Sequence, residues 1–200
     1  MANSKTVRSI ARGAAICALL AGAAMAEAPV GAPAAAHESG EWQKHEYSFV
    51  FMGFTSTYSC DGLADKLKQL LITAGARSDS KAVPGPCASP FGRPDKLARA
   101  DLTFYTLIPS DTANSAGATP VDAVWKAVAF ANHSPRYLAI GDCELVDQFR
   151  ASVLPMFTTR ALDNHITCVP HQESGSNIDL RFDSFTAVPG KKHVTAVSGD

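Results

Sequence analysis

The chain has 200 residues, of which 46% are hydrophobic, and a formal net charge of −1 at pH 7. This length suffices for one domain or for two small halves that share a core. A charge so close to zero excludes the strongly basic surface that is typical of proteins that bind nucleic acids or anionic membranes. We therefore expect no nucleic-acid partner.

A cleavable secretory signal peptide is predicted at the N terminus. Three basic residues and no acidic residue precede its apolar run: Lys5, Arg8 and Arg12. The run from Gly13 to Ala24 is too short to span a membrane as a helix, and it ends in the small-x-small motif Ala24-Met25-Ala26. We predict a signal peptide at residues 1–26, with cleavage before Glu27 or, alternatively, after Ala34-Ala35-Ala36. The mature protein is then periplasmic or secreted, and no transmembrane segment is expected after the signal peptide.

The rest of the chain divides at stretches that are poor in large apolar side chains. Residues 27–40 are rich in alanine, proline and glycine, which predicts a flexible leader. Residues 110–120 have the composition of a linker, and residues 187–200 that of a flexible tail. Two halves of similar length remain between them, residues 41–109 and residues 121–186.

One helix and three strands are predicted in the first half. A strand is expected at residues 47–54, and a helix begins after Ser59, a favourable N-cap residue. The apolar residues of this helix recur at helical spacing: Leu63, Leu67, Leu70, Leu71 and Ala74. A second strand is expected at residues 77–83. Alternation of apolar and polar side chains predicts the third strand over residues 98–108.

The second half has the same predicted order of elements. Strands are expected at residues 124–130, 162–168 and 178–183, and a helix begins after Asp142, which is predicted to cap it. The apolar face of this helix consists of residues at helical spacing: Leu145, Phe149, Val153 and Met156. The order βαββ in both halves predicts an α+β fold derived from a degenerate internal duplication, with one helix packed on a small sheet in each half.

Four cysteines remain after removal of the signal peptide: Cys60, Cys87, Cys143 and Cys168. An even number of cysteines in an exported chain predicts disulfides. Each half has one cysteine at a helix start and one just past the next strand, 27 residues apart in the first half and 25 in the second. A helix that returns antiparallel to the next strand brings two such positions to one edge, within disulfide distance. We therefore predict the pairs Cys60–Cys87 and Cys143–Cys168.

Residues with catalytic or metal-binding chemistry have simpler explanations in this sequence. The spacing of His165, Cys168 and His171 is similar to that of a zinc site, but an odd separation along a strand directs His165 and Cys168 to opposite faces. The acidic residues near the two helix starts are explained by the helix dipole. They are Asp61 and Asp65 in the first half and Asp142, Glu144 and Asp147 in the second. We assign no catalytic residue, no cofactor and no metal site.

Two blocks of sequence resemble a family of uncharacterised exported proteobacterial proteins. They are TYSCDGLADKLKQLL and GDCELVDQFRASVLPMF, and each contains a cysteine at a predicted helix start. The resemblance spans residues 42–185. It implies an exported location and brings no catalytic residue with it.

The sequence favours a non-catalytic module that binds an envelope protein or another component of the cell envelope, because two halves, each closed by its own disulfide, carry no assembled chemical motif. The alternative is an enzyme whose site lies in the cleft between the halves, since such clefts commonly hold ligands. Tyr105 and Phe185 lie on the polar faces of their strands and are candidates for a contact surface.

Overall fold

A computed structural model describes residues 38–86, 93–111 and 119–189. Within these ranges the strands are β1 (Glu38–Met52), β2 (Lys81–Pro84), β3 (Leu97–Pro109), β4 (Val121–Ala131), β5 (Thr159–Asn164) and β6 (Asp179–Ala187). The helices are α1 (Cys60–Thr73) and α2 (Cys143–Ser152), and short 3-10 turns at Ile140–Asp142 and Leu154–Met156 flank α2. The predicted signal peptide lies outside the described residues.

The strands form a single sheet in the order β2-β3-β1-β4-β6-β5, in which all the described neighbours are antiparallel. The pairing of β1 with β3 is long and runs from Gly40 to Met52. The pairing of β1 with β4, in contrast, joins only Glu38–Gly40 to Val121–Ala123. The sheet therefore consists of two three-stranded parts, which are connected by a short overlap at the start of β1 and β4.

The predicted α+β fold class, two βαββ halves with one helix on a small sheet each, is wrong. Both halves contribute strands to one sheet, and six strands against two short helices make the described protein mainly β. The two halves share one sheet because β1 and β4 pair over a short overlap. β1 begins at Glu38, inside the stretch predicted as a flexible leader, and its first residues pair with β4. A hydrophobic pattern identifies strands but does not show which of their edges pair. Glu38 and Ser39 are polar, so the pattern did not indicate that a strand begins there.

The main core lies on the sheet face that the helices cover. The alternation predicted for β3 is confirmed, because Ala98, Ala100, Leu102 and Phe104 are all buried. Aromatic rings then connect the two halves within this core. Phe104 of β3 stacks on Phe157, with 5.8 Å between the ring centroids, and Phe157 lies 6.5 Å from Phe149 of α2. One continuous core thus extends through both halves, and all described residues belong to one compact unit.

His45 of β1 lies at the margin of this core. Its ring stacks on Phe104 at a centroid distance of 5.1 Å, and its Nε2 is 2.8 Å from Oγ1 of Thr106. Since the Thr106 hydroxyl donates its hydrogen to the carbonyl oxygen of Met156 at 3.0 Å, it accepts the hydrogen bond from an Nε2–H of His45. Burial lowers the pKa of His45 from its usual value.

We expect this histidine to make folding less favourable in acid. Because its pKa is lower in the folded than in the unfolded chain, the stability from neutral His45 is complete above a pH of about 6.5 and is lost as the pH falls towards the folded pKa. His45→Gln retains a donor and should remove this part of the pH dependence. His165→Gln, at a 66% exposed side chain, should leave it unchanged. Urea unfolding between about pH 5 and pH 8 measures both variants, and an unaltered profile for His45→Gln would contradict the argument.

Candidate functional site: the tryptophan surface

Buried polar groups join the start of α2 to the segment before α1. Asp142 is 4% exposed, and its carboxylate accepts hydrogen bonds from Lys66 Nζ at 2.7 Å, from the N–H of Ala139 at 2.6 Å and from the Tyr58 hydroxyl. Burial, together with the neighbouring Asp142 carboxylate, raises the pKa of Tyr58, so its hydroxyl remains protonated and can donate. The side chain of Asp142 makes no capping hydrogen bond to α2. Asp142 therefore stands at the predicted N-cap position of α2, but its carboxylate does not cap the helix.

Glu144 forms the second part of this connection. Its Oε2 accepts the N–H groups of Phe54 and Thr55, each at 3.0 Å. Asp147, one helical turn further along, instead pairs with Arg150 at 2.9 Å. Glu144 thus holds a loop that lies about 90 positions earlier in the chain, a long-range role that the helix dipole alone does not explain. The buried acidic residues are engaged in contacts between the two halves.

The histidines near Cys168 do not form a metal site with it. His165 Nε2 lies 2.8 Å from the carboxylate of Asp163, and the ring of His171 meets Phe54 edge to face at 5.9 Å. In the ranges that the structure describes, no group of three histidine, cysteine or acidic side chains is positioned to hold a metal ion.

The predicted disulfide Cys143–Cys168 is confirmed. The Cα atoms of the two residues are 5.7 Å apart, and the bridge connects the start of α2 to the segment that follows β5. Cys60, at the start of α1, is also disulfide-bonded. Because Cys87 lies outside the described residues, the pair Cys60–Cys87 stays a prediction.

A second, smaller apolar cluster lies on the face of the sheet opposite the main core. Its buried members come from β3, β4 and β6: Leu107, Val121, Ala123 and Phe185. Trp42 stands opposite Leu107 in the β1–β3 register, and Trp125 stands opposite Phe185 in the β4–β6 register. Both tryptophans are partly buried against the cluster. They are the two tryptophans of the entire sequence, and both lie beside the overlap of β1 and β4.

An arginine guanidinium covers each of these rings. The Cζ atom of Arg77 lies 5.5 Å from the ring centroid of Trp42 and 3.6 Å from that of Tyr105. The Cζ atom of Arg160 lies 4.3 Å from the ring centroid of Trp125. Such contacts stabilise by about 0.5–1 kcal/mol each at exposed sites. They orient the two arginines without removing them from solvent.

We name this region the tryptophan surface, which consists of Trp42, Arg77, Tyr105, Trp125, Arg160 and Phe185. No protein family model, curated protein or solved structure matches the chain. The resemblance to an exported proteobacterial family therefore stays a prediction. Neither helix in the described ranges has the length and apolarity needed to cross a membrane.

Two residues of the tryptophan surface were predicted from the sequence. Tyr105 is half-buried beneath Arg77. Phe185 is only 2% exposed, so it supports Trp125 from below, at 5.1 Å between ring centroids, and does not itself offer a contact area. Sequence reasoning missed both tryptophans. The available signal was a tryptophan on the polar face of each strand, in a chain that has only two tryptophans.

A groove of about 330 Å³ borders the surface beside Trp42. Arg77 and Lys126 contribute its basic side chains, and Thr186 and Val188 also line it. Arg77 is held by Asp79, with 2.6 Å between Nε and the carboxylate. The groove therefore presents a tryptophan ring beside two basic side chains.

Proposed function

We propose that the protein is a non-catalytic binding module, exported to the periplasm or beyond, that recognises a protein of the cell envelope through the tryptophan surface. The observation that carries this proposal is the position of Trp42 and Trp125, both outside the main core and each in contact with an arginine. Tryptophan, tyrosine and arginine are the residues that contribute most to binding free energy in protein interfaces.

The side chains of this surface are already oriented before a partner binds. Arg160 contacts the Trp125 ring and is also paired with Asp183 at 3.1 Å, and Arg77 is held in the same way by Tyr105 and Asp79. An oriented side chain loses less conformational entropy on association than a mobile one. The surface is therefore suited to a partner that covers both rings at once.

The alternative, an enzyme with its site between the halves, has less support. Between the described parts of the two halves lie the common core and the contacts of Asp142 with Lys66 and of Glu144 with Thr55. These contacts engage the acidic side chains that acid–base catalysis would need. Aromatic and cationic side chains are instead available at the tryptophan surface, which favours binding.

A comparison of variants tests the proposal. The mature protein, a Trp42→Ala/Trp125→Ala variant and a Phe54→Ala control are immobilised and exposed to cross-linked envelope extract, and the captured proteins are quantified by mass spectrometry. Phe54 is a matched control because it is an aromatic residue, 53% exposed, outside the tryptophan surface. We expect the double variant to lose specific proteins by about tenfold or more, while the control retains them. Equal capture by all three proteins would refute the proposal.

A further inference from the structure

Among the residues that the structure describes, no strand pairs with one edge of β1 over most of its length. Gly53 directly follows β1, and Lys96 directly precedes β3. The N–H of Gly53 donates to the carbonyl oxygen of Lys96 at 2.8 Å, which continues the β1–β3 register by one residue. The odd-numbered residues of β1 therefore bond to β3, and the backbone groups of the even-numbered residues point to the other edge. Two neighbours occupy the ends of that edge. Glu38–Gly40 pair with β4, and the side-chain amide of Gln148 bonds to both the N–H and the carbonyl of Met52, at 3.0 and 2.8 Å.

Between these ends lie five even-numbered residues: Trp42, Lys44, Glu46, Ser48 and Val50. Within the described part of the chain, their N–H and carbonyl groups on this edge have no hydrogen-bond partner. The side chains of Lys44, Glu46, Ser48 and Val50, on the sheet face next to this edge, are exposed. A row of unsatisfied backbone donors and acceptors is a template for one more strand.

We propose that an extended segment of the partner protein adds to this edge as a strand, alongside residues 42–50. This inference rests on the proposed function, because it names how the same partner binds. The alternating donors and acceptors of the edge recognise polypeptide backbone, which selects an extended peptide as the occupant. At about 3.3 Å per residue the open stretch spans about 27 Å, which accommodates a segment of about eight or nine residues.

The position of the edge connects it to the tryptophan surface. Trp42 is both the first residue of the open stretch and a member of that surface. A segment paired with β1 therefore has one of its ends beside Trp42. Lys44 and Glu46 project on the solvent side of β1 and disfavour pairing with an apolar strand. The segment that fits has polar residues facing them and an apolar residue directed towards half-buried Tyr47.

A second copy of this chain fits the edge less well. The edge is bounded at one end by the start of β4 and at the other by Gln148 of α2. Two copies that paired their β1 edges antiparallel would bring α2 of each copy against the β4 start of the other. A single strand fits between these boundaries.

A proline at Ser48 tests the inference, because it removes an N–H from the open edge while the bonds to β3 stay intact. Proline is tolerated at such a position, and Ser48→Ala retains the N–H as the matched control. The probe is a phage-displayed library of linear peptides selected on the mature protein. We expect selected peptides to bind Ser48→Ala like the native protein and to bind Ser48→Pro about tenfold or more weakly.

Hydrogen exchange on the native protein gives an independent readout that needs no variant. In the free protein the amides of Lys44, Glu46 and Ser48 should exchange rapidly, while those of Tyr47 and Phe49 are protected by β3. A selected peptide should protect the first set and leave the second unchanged. Failure to select any peptide, or protection of Lys44, Glu46 and Ser48 in the free protein, would overturn strand addition.

The two proposals fail in different ways. Envelope proteins that are lost with Trp42→Ala/Trp125→Ala but bind Ser48→Pro and Ser48→Ala equally would overturn strand addition and leave the binding module standing. Equal capture of envelope proteins by the native protein and by Trp42→Ala/Trp125→Ala would refute the binding module itself. Loss with the double variant and with Ser48→Pro, but not with Ser48→Ala, supports both.

Discussion

Replacement of Phe149 by alanine is expected to destabilise the whole protein by about 3–5 kcal/mol. Phe149 of α2 is fully buried, and its ring lies 6.3 Å from Phe130 of β4 and 6.5 Å from Phe157. Phe157 in turn stacks on Phe104 of β3. The cavity left by the missing ring therefore adjoins Phe157, the ring through which the second half contacts Phe104 of the first half.

The form of the unfolding transition is as informative as its midpoint. Because both halves share the core, Phe149→Ala should still unfold in one cooperative transition, followed by circular dichroism in guanidinium chloride. Phe54→Ala removes a phenylalanine that is 53% exposed, and we expect it to cost less than about 1 kcal/mol. Two separate transitions in Phe149→Ala, with the first half still folded, would show that the halves are independent units.

The local elements of the fold could be predicted because they depend on nearby residues. Ser59 accepts a hydrogen bond from the N–H of Gly62 at 3.0 Å, as expected of an N-cap. The alternating patterns of β3 and β6 identified buried residues correctly, including Ile178, Leu180 and Phe182. In each case the signal is a periodicity or a capping side chain within a few residues.

Features that depend on distant residues could not be predicted in the same way. Asp142 was expected to cap α2, but it accepts hydrogen bonds from Lys66 and Tyr58, which lie about 76 and 84 positions earlier. The joining of both halves into one sheet depends on three residues of β1 whose composition suggested a flexible leader. The tryptophan surface combines residues of five strands with Arg77, which lies between α1 and β2, and no single strand contains it.

The disulfide Cys143–Cys168 illustrates both kinds of inference. Its pairing was predicted from local spacing, but its effect on stability also depends on the long-range contacts of the residues beside it. Cys143 is buried at the start of α2, directly between Asp142 and Glu144. The bridge thus fixes the point from which both carboxylates reach the first half. Its loss should loosen the contacts of Glu144 with Phe54 and Thr55 as well as the 25-residue loop that it closes.

We expect the Cys143→Ala/Cys168→Ala variant to be less stable than the native protein by about 3–4 kcal/mol, from the entropy that a closed loop of this length removes from the unfolded chain. Guanidinium chloride unfolding without reductant measures the difference. The control is a Ser152→Ala/Leu162→Ala variant, which alters α2 and β5 without touching the bridge, and it should change stability by less than about 1 kcal/mol. If the Cys143→Ala/Cys168→Ala variant unfolds at the same denaturant midpoint as the native protein, the bridge does not stabilise the fold. If the double variant remains folded and still captures the same envelope proteins, the bridge is a structural constraint, and the binding surface lies elsewhere, as proposed for Trp42 and Trp125.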